Sequence, residues 1–332
     1  MNVQPIYNST PQSRNFVERT IIDLAGIQSG MLRENFVTVA KQLSKFKQPA
    51  NGLPVLIPFI PEIFDSSQKF EIKSSVIKNL IYGSVEENYI GYKLSFNNST
   101  FATNFVLKDD FREKVMSYTE DLLFARRRIQ DLVKEFTSVG AFQTRNVPHL
   151  GHERIIDEML NHCELVVINP MVGPKKIGDI DSEKLKGIYD SVLRPRYQNK
   201  ITFIPIRANM FYAGPREAIH HARIRRWLGF THFSVGRDHA GAEGIYNESA
   251  ATDMTKQCQN NLSIKIITHG GAFFCRLCDK VVLKNHCNHS KDTLTEISGS
   301  DFRHCLNMKK TYPFAALDVQ QWASKNLKSL QT

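Results

Sequence analysis

Up to about Asp110 the apolar positions fall into short, broken segments. They are punctuated by Pro49, Asn51-Gly52, Pro54, Pro58, Pro61 and the polar stretch Asn97–Thr100. Short apolar runs bounded by turn residues predict a β-rich first domain over residues 1–110. From Phe111 to Ser138, Val115, Met116, Leu122, Leu123, Phe124, Ile129, Leu132, Val133 and Phe136 recur among charges. That spacing predicts one or two helices leading into a second domain. Beyond it, apolar runs at Val139–Gln143, Leu165–Asn169, Ile201–Ile206, His232–Val235 and Ile264–Ile267 read as strands. Helical windows at Gly151–Asn161, Asp181–Val192 and Pro215–Leu228 lie between them, the last opening on a proline. Strand and helix in alternation predict an α/β fold with a parallel sheet over residues 111–260, followed by a C-terminal subdomain over 261–332. No internal repeat or low-complexity linker interrupts the pattern.

Composition narrows the class. A chain of 332 residues with 42% apolar content can bury one large core or two ordinary ones. No stretch approaches the roughly 18 to 20 consecutive apolar residues of a membrane span. The start, MNVQPIYNST, lacks the basic-then-apolar layout of a secretion signal, so a cytoplasmic protein with no membrane partner is expected. Lysine and arginine number 43 against 33 acids, a formal net charge of +10. That balance favours anionic partners: nucleic acid, phosphates and sulfate all qualify, and charge alone does not choose among them.

The first segment with chemistry in it is AFQTRNVPHLGHE, Ala141–Glu153, which runs from a strand end into a helix start. Unpaired N–H groups and the positive dipole end make a helix N-terminus an anion site, and Gly151 allows close approach of a nucleotide. His149 and His152, three apart, share a face there and could donate to a phosphate gaining charge. Alone, His-x-Gly-His reads more readily as two surface or capping histidines. Gln143, Thr144, Arg145 and Asn146 just upstream add donors and a fixed cation. The second segment places Gly236-Arg237-Asp238-His239-Ala240-Gly241 directly after the strand His232–Val235, the edge where open α/β sheets bind ligands. Arg237 could instead pair with a carboxylate, and Arg216 is as readily a surface charge as an anion ligand.

A third segment, FCRLCDKVVLKNHCNH over Phe274–His289, carries Cys275, Cys278 and Cys287 with His286 and His289 nearby. Three thiolates and one imidazole would make a closed tetrahedral structural zinc site. His289 is the preferred fourth ligand, although its two-residue step from Cys287 leaves His286 or a later group open. The competing reading is three reduced, buried cysteines.

Taken together, QTRN with His149-Leu150-Gly151-His152, VGPKKIGD at Val172–Asp179, YAGPRE at Tyr212–Glu217, THFSVGRDHAG at Thr231–Gly241 and ISGS at Ile297–Ser300 resemble the ATP sulfurylase family in order and spacing. The resemblance covers roughly Ser138 to Arg303, about half the chain. It implies a Rossmann-like nucleotidyltransferase domain with a parallel sheet, preceded by a β-rich PUA-like domain. It also implies sulfate adenylyltransferase activity, in which sulfate attacks the α-phosphorus of ATP and releases pyrophosphate. Thr144, Arg145, Asn146, His149 and His152 would be catalytic. Gln143, Arg145 and the Ala240 backbone would hold sulfate. Gln143, Asn146, Gly151, Gly236, Arg237, Asp238, His239 and Val282 would hold the nucleotide. Magnesium would arrive with ATP, bridging its phosphate oxygens. Cys275, Cys278, Cys287 and His289 match the zinc loop of some bacterial members, and a homo-oligomer, a dimer, is expected.

Ser300 stands where threonine is usual, and Leu150 replaces a commonly basic residue between the histidines. Loss of that cation keeps an adenylyltransferase for another oxyanion or a specialised-metabolite acid in play. A non-catalytic basic RNA-binding module is the second rival. The intact QTRN, paired histidines and GRDHAG argue against it, and with it against nucleic acid as a partner.

Overall fold

Aliphatic and β-branched runs only four residues long are too short to be helices, and between turn residues they form the strands of a buried parallel sheet. A computed structural model of the protein describes residues 11–32, 52–83, 89–96, 100–174, 180–237, 239 and 244–327. The first part contains α1 (Pro11–Gln28), β1 (Phe64–Glu71), α2 (Ser74–Tyr82), α3 (Ile90–Ser95) and β2 (Thr100–Leu107). The single helix α4 (Asp109–Glu135) follows, 27 residues long, with Asp109 and Asp110 at its positive end. Next come β3 (Val139–Phe142), α5 (Leu150–Leu160), β4 (Leu165–Ile168), β5 (Met171–Val172), α6 (Ser182–Ile188) and α7 (Arg194–Arg196). They lead to β6 (Ile201–Phe203), β7 (Ile206–Arg207), α8 (Pro215–Leu228), β8 (His232–Val235), α9 (Ala250–Gln257), α10 (Gln259–Leu262) and β9 (Lys265–Thr268). The C-terminal part holds β10 (Ala272–Cys275), β11 (Lys280–Leu283), β12 (Leu294–Glu296), α11 (Gly299–Asn307) and α12 (Leu317–Asn326).

The central sheet has five parallel strands in the order β6-β4-β3-β8-β9. Chain order therefore runs outward from β3 in both directions, and the connections leaving β3 and β8 diverge. Such a reversal opens a crevice at the carboxyl edge of the sheet. Side chains alternate between two cores. Val139, Ala141, Leu165, Val167, Phe233 and Val235 enter one, with α1, α4 and α8. Phe142, Val166 and Ile168 enter the other, with α5, α6 and α12. The α/β fold with a parallel sheet is as expected from the alternating pattern. The run read as one strand over Ile201–Ile206 divides at Pro205, which has no N–H for the ladder, and β7 leaves to pair with β5 in a separate small sheet.

The first part corrects the β-rich expectation. Among the described residues it holds three helices and a two-stranded antiparallel ribbon, β1–β2. Its apolar segments around Pro54, Pro58 and Pro61 are buried as irregular chain, because each proline removes a donor; Pro58 makes only an isolated bridge to Phe101. Leu53, Ile63, Ile77 and Phe101 belong to the same buried cluster as β3 and β8. Polar contacts reinforce the junction. Arg19 donates to the Met210 carbonyl at 2.9 Å, Asn209 to the Arg19 carbonyl at 2.7 Å, and the Tyr82 hydroxyl to the Phe211 carbonyl at 2.9 Å. No helix among the described residues is long and apolar enough to cross a membrane.

Opposite the crevice, Arg196 on α7 pairs with Glu153 on α5 and with Asp318 on α12. Burial raises the Glu153 carboxyl, and the guanidinium opposes that shift. Replacing Arg196 with Met should lower unfolding stability by about 1–3 kcal/mol, since a carboxylate is left buried without its cation. Adding Glu153→Gln should recover part of the loss. Urea unfolding of both single variants and the double measures this, and a strictly additive result would exclude the coupling.

Candidate active site

The crevice is a cavity of about 490 Å³. Its lining includes Gln143, Thr144, Arg145, Asn146, His149, Gly151, His152, Gly236, Arg237 and His239. The two segments singled out in the sequence, about ninety residues apart, thus meet at the strand ends where the chain reverses. Asp238 and Ala240 lie outside the described residues, as do residues 175–179 of VGPKKIGD. Val282 does not line the cavity. It is buried on β11, paired in register with Phe273 on β10.

His149 is the N-cap of α5. Its Nδ1 accepts the His152 backbone N–H at 3.3 Å, so in the neutral ring the proton sits on Nε2. The two imidazoles stack with centroids 3.9 Å apart. His152 Nε2 lies 3.4 Å from the Thr144 hydroxyl, and its Nδ1 has no hydrogen-bond partner among the described residues. Burial lowers His149 to about 4 and holds His152 well below the usual histidine range. Both rings are therefore neutral donors near pH 7, not cations. A Cβ on Gly151 would come within 3.0 Å of the His149 ring, so only glycine lets helix and imidazole pack this closely.

The start of α11 braces the same loop. Arg303 donates to the Asn146 amide oxygen and, at 3.1 Å, to Ser300 Oγ, while Ser298 caps the helix. Ser300 thus acts on the arginine that holds Asn146. Leu150 faces away from the cavity into a separate groove with Phe274 and Phe314. The residue between the histidines therefore does not bear on the anion site.

On the facing wall, Gly236 follows β8 so closely against His269 that a Cβ would sit 2.5 Å from the ring. Arg237 pairs with Glu296 of β12 and lies 3.9 Å from Glu248, with its guanidinium 4.9 Å from the Phe273 ring centroid. Sequence reasoning missed His269, Tyr246, Glu248 and Glu296 as lining residues. His269 was findable, since it directly follows β9 on the same sheet edge. Glu296 was not, because the turn that returns β12 to Arg237 depends on the cysteine loop.

In that loop His289 Nδ1 lies 3.3 Å from Cys275 Sγ, 3.3 Å from Cys278 Sγ and 3.5 Å from Cys287 Sγ. All four donor atoms fall within 4.8 Å of one another. Bonds of about 2.3 Å to sulfur and 2.0 Å to nitrogen around a tetrahedral centre require sulfur–nitrogen edges of about 3.5 Å, so the donors fit a metal of that geometry. His286 is turned to Glu158 on α5, its Nδ1 3.7 Å from the carboxylate, which leaves His289 as the fourth donor.

Six histidines around the crevice are buried with lowered values. His149 and His269 fall to about 4, His220 and His239 to about 3, and His152 and His221 shift in the same direction, each chiefly through desolvation. The unfolded chain takes up these protons near pH 6.5 and the folded chain resists them. Their stabilising contribution is therefore complete above 6.5 and is lost as pH falls toward 4. Asp23, raised to about 6 by burial, works in the opposite sense but is outnumbered. Each histidine can add up to about 1.4 kcal/mol per pH unit. Urea midpoints should hold steady from pH 8 to 7 and fall steeply between 6.5 and 5; a flat profile would show that the rings are solvated.

The ATP-sulfurylase family model matches residues 124–319. The chain is 32% identical over 265 residues to a sulfate adenylyltransferase of Ignicoccus hospitalis, covering 79% of this chain and 67% of that one. It is 30% identical over 323 residues to that of Staphylothermus marinus, covering 88% and 84%. It is 41% identical over 170 residues to that of Thermococcus onnurineus, covering 51% and 45%. In several relatives the matched part is thus about half of their length. The fold is similar to that of a solved structure, hexameric APS kinase from Thiobacillus denitrificans, with a TM-score of 0.55 and 11% identity over 93% of this chain and 62% of that one.

Proposed function

The chain belongs to the ATP-sulfurylase family, and we propose that it is a sulfate adenylyltransferase that makes adenylyl sulfate and pyrophosphate from ATP and sulfate. The observation that carries this reading is the convergence of Gln143–Asn146, His149, His152 and Arg237 on one cavity at the reversal of strand order.

The chemistry asks little of acid–base groups. Sulfate is already a dianion, so no base is needed: a sulfate oxygen forms a bond to the α-phosphorus, and the bond to the bridging oxygen of pyrophosphate breaks. What opposes the step is repulsion between two anions and charge gathering on the α-phosphate oxygens. Arg145 and Gln143 are assigned to sulfate, with the Ala240 backbone as the family resemblance implies. The Nε2–H of His149 and the ring of His152 are assigned to the α-phosphate. Neutral donors suit this task, because they strengthen as charge develops without first trapping sulfate as an ion pair. Thr144 and Asn146 hold the loop: Thr144 Oγ1 contacts His152 and accepts the Asn146 N–H at 3.3 Å. Gly151, Gly236, Arg237, Asp238 and His239 are assigned to the nucleotide; the buried position of Val282 gives that residue no part in it. Magnesium would come with the triphosphate and would offset part of its negative charge.

We read the Cys275, Cys278, Cys287 and His289 cluster as a structural zinc site. When bound, the ion supplies a closed crosslink that holds β10, β11 and β12 together, and with them Glu296 against Arg237. A PUA-like identity for residues 1–110 has its support in the family resemblance alone; the described residues there form three helices and one two-stranded ribbon.

Sulfate-dependent pyrophosphate release from ATP tests the activity, measured beside selenate and a phosphonate. His149→Ala and His152→Ala should each lower turnover about a hundredfold or more with the fold intact, and Arg145→Ala should abolish the response to sulfate. Full turnover in either histidine variant would remove it from the reaction. For the metal, elemental analysis should return about one zinc per chain, lost in Cys278→Ser. Purified protein free of zinc would end that reading.

A further inference from the structure

A chain of three buried side chains runs from the first turn of α8 to the cavity wall. Glu217 is fully buried, and its carboxylate accepts the Phe211 N–H at one oxygen and the Ala213 N–H at the other, both at 2.8 Å. One turn on, His221 is also fully buried, with Nε2 3.2 Å from Glu217 Oε1, oblique to the ring N–H direction. Its Nδ1 lies 2.9 Å from His239 Nε2, and His239 lines the cavity beside Arg237. Phe233 of β8 meets the His239 ring edge-on at 5.9 Å.

Resting on the reading of the cavity as an ATP site, we propose that His221 fixes His239 as a neutral imidazole with Nδ1 a hydrogen-bond acceptor. His239 thereby becomes a ligand of the nucleoside of ATP, not of its phosphates or of sulfate. The argument proceeds outward from the carboxylate. A bare nitrogen 3.2 Å from a carboxylate oxygen would set two lone pairs against each other, so His221 carries its proton on Nε2 whether or not that bond is well aligned. Its Nδ1 is then an acceptor, and at 2.9 Å it takes the Nε2–H of His239. A neutral imidazole has one proton, so His239 Nδ1 is left as an acceptor. Burial raises the Glu217 carboxyl, and the main-chain N–H groups on both its oxygens oppose that shift and favour the carboxylate that sets this direction. Burial above all, with His221, Arg225 and His269, disfavours a second proton on His239, against the opposing pull of Glu217.

The consequence is a division of labour within the cavity. Phosphate and sulfate oxygens are acceptors only at neutral pH and cannot bond to an acceptor nitrogen. The donors that ATP offers are the exocyclic amine of adenine and the ribose hydroxyls. His221 is thus a positioning residue that acts through His239.

Long-range proton–nitrogen NMR of the full chain labelled with ¹⁵N-histidine tests the tautomer directly, with His239 assigned by loss of its signals in His239→Gln. The expected result near pH 7.5 is a proton on Nε2 and a bare Nδ1; a protonated Nδ1, or an imidazolium, overturns the proposal. Calorimetry with ATP, ITP, 2′-deoxyATP and pyrophosphate tests the ligand. His239→Phe should weaken ATP about tenfold and leave pyrophosphate unchanged. In wild type, weaker binding of ITP identifies the amine as the donor, and weaker binding of 2′-deoxyATP identifies the ribose. Equal losses for ATP and pyrophosphate in His239→Phe would make His239 an anion ligand and overturn the proposal. His221→Asn keeps an acceptor oxygen near the Nδ1 position and should retain ATP affinity, whereas His221→Leu should match His239→Phe; a wild-type response in His221→Leu removes its role. The expected tautomer and binding pattern without sulfate-dependent pyrophosphate release would sink the transfer reaction and leave this inference standing.

Discussion

Everything at the crevice depends on the parallel pairing of β3 with β8. Their register, Gly140 opposite His232 and Ala141 opposite Phe233, sends one connection to α5 and draws the other from α8. Two loops that are far apart in sequence are set face to face by this main-chain pairing, which the Thr231 hydroxyl extends at Val139. Side chains then need only fill the gap. Gly140 marks how tight the arrangement is, since a Cβ there would lie 2.8 Å from Cys163 Sγ and 2.9 Å from the Met159 methyl. A larger residue at that position would require the Met159 and Cys163 side chains to move.

Within the crevice, desolvation sets the electrostatics. Neutral imidazoles line both walls, with His220 and His221 behind them in the first half of α8, and among the described residues the fixed cations of the lining are the guanidinium groups of Arg145 and Arg237. Arg237 is paired with the carboxylate of Glu296 and lies near that of Glu248, and Arg303 braces Asn146. Positive charge is thus limited and directional. A polyphosphate entering such a site displaces water from donors that already point inward, and little reorganisation is left for the reacting state.

Much of this was legible in the sequence because its determinants are local. The five strand segments are short aliphatic runs. The α8 start is marked by Pro215, and the cavity-lining loops follow strand ends, as the rule for open sheets requires. Cys275, Cys278, Cys287 and His289 lie within fifteen residues, so spacing grouped the three cysteines with a histidine, while the choice between His286 and His289 waited on the fold. What was not legible depends on distant packing. His221 and His239 are eighteen positions apart, and only the docking of α8 on β8 brings their rings together. Glu296 is fifty-nine positions from Arg237 and reaches it through the turn of the cysteine loop. The first part misled for a different reason: proline-broken apolar segments look like short strands, yet around Pro58 the pairing with β2 stops after the bonds of Ile57 and Phe59, and the rest of the described segment is buried as irregular chain.

The tyrosine hydroxyls of the first part carry a consequence for modularity. Tyr82 and Tyr89 donate to the carbonyls of Phe211 and Tyr212, in the loop whose N–H groups Glu217 collects. Both polar sides of that loop are therefore spoken for, one by each half of the chain. A shortened protein beginning at α4 would lose one set of partners and bare the apolar face of α4 against which α1 packs. The α/β half is not a portable cassette, and grafting it onto another carrier would require taking these partners along.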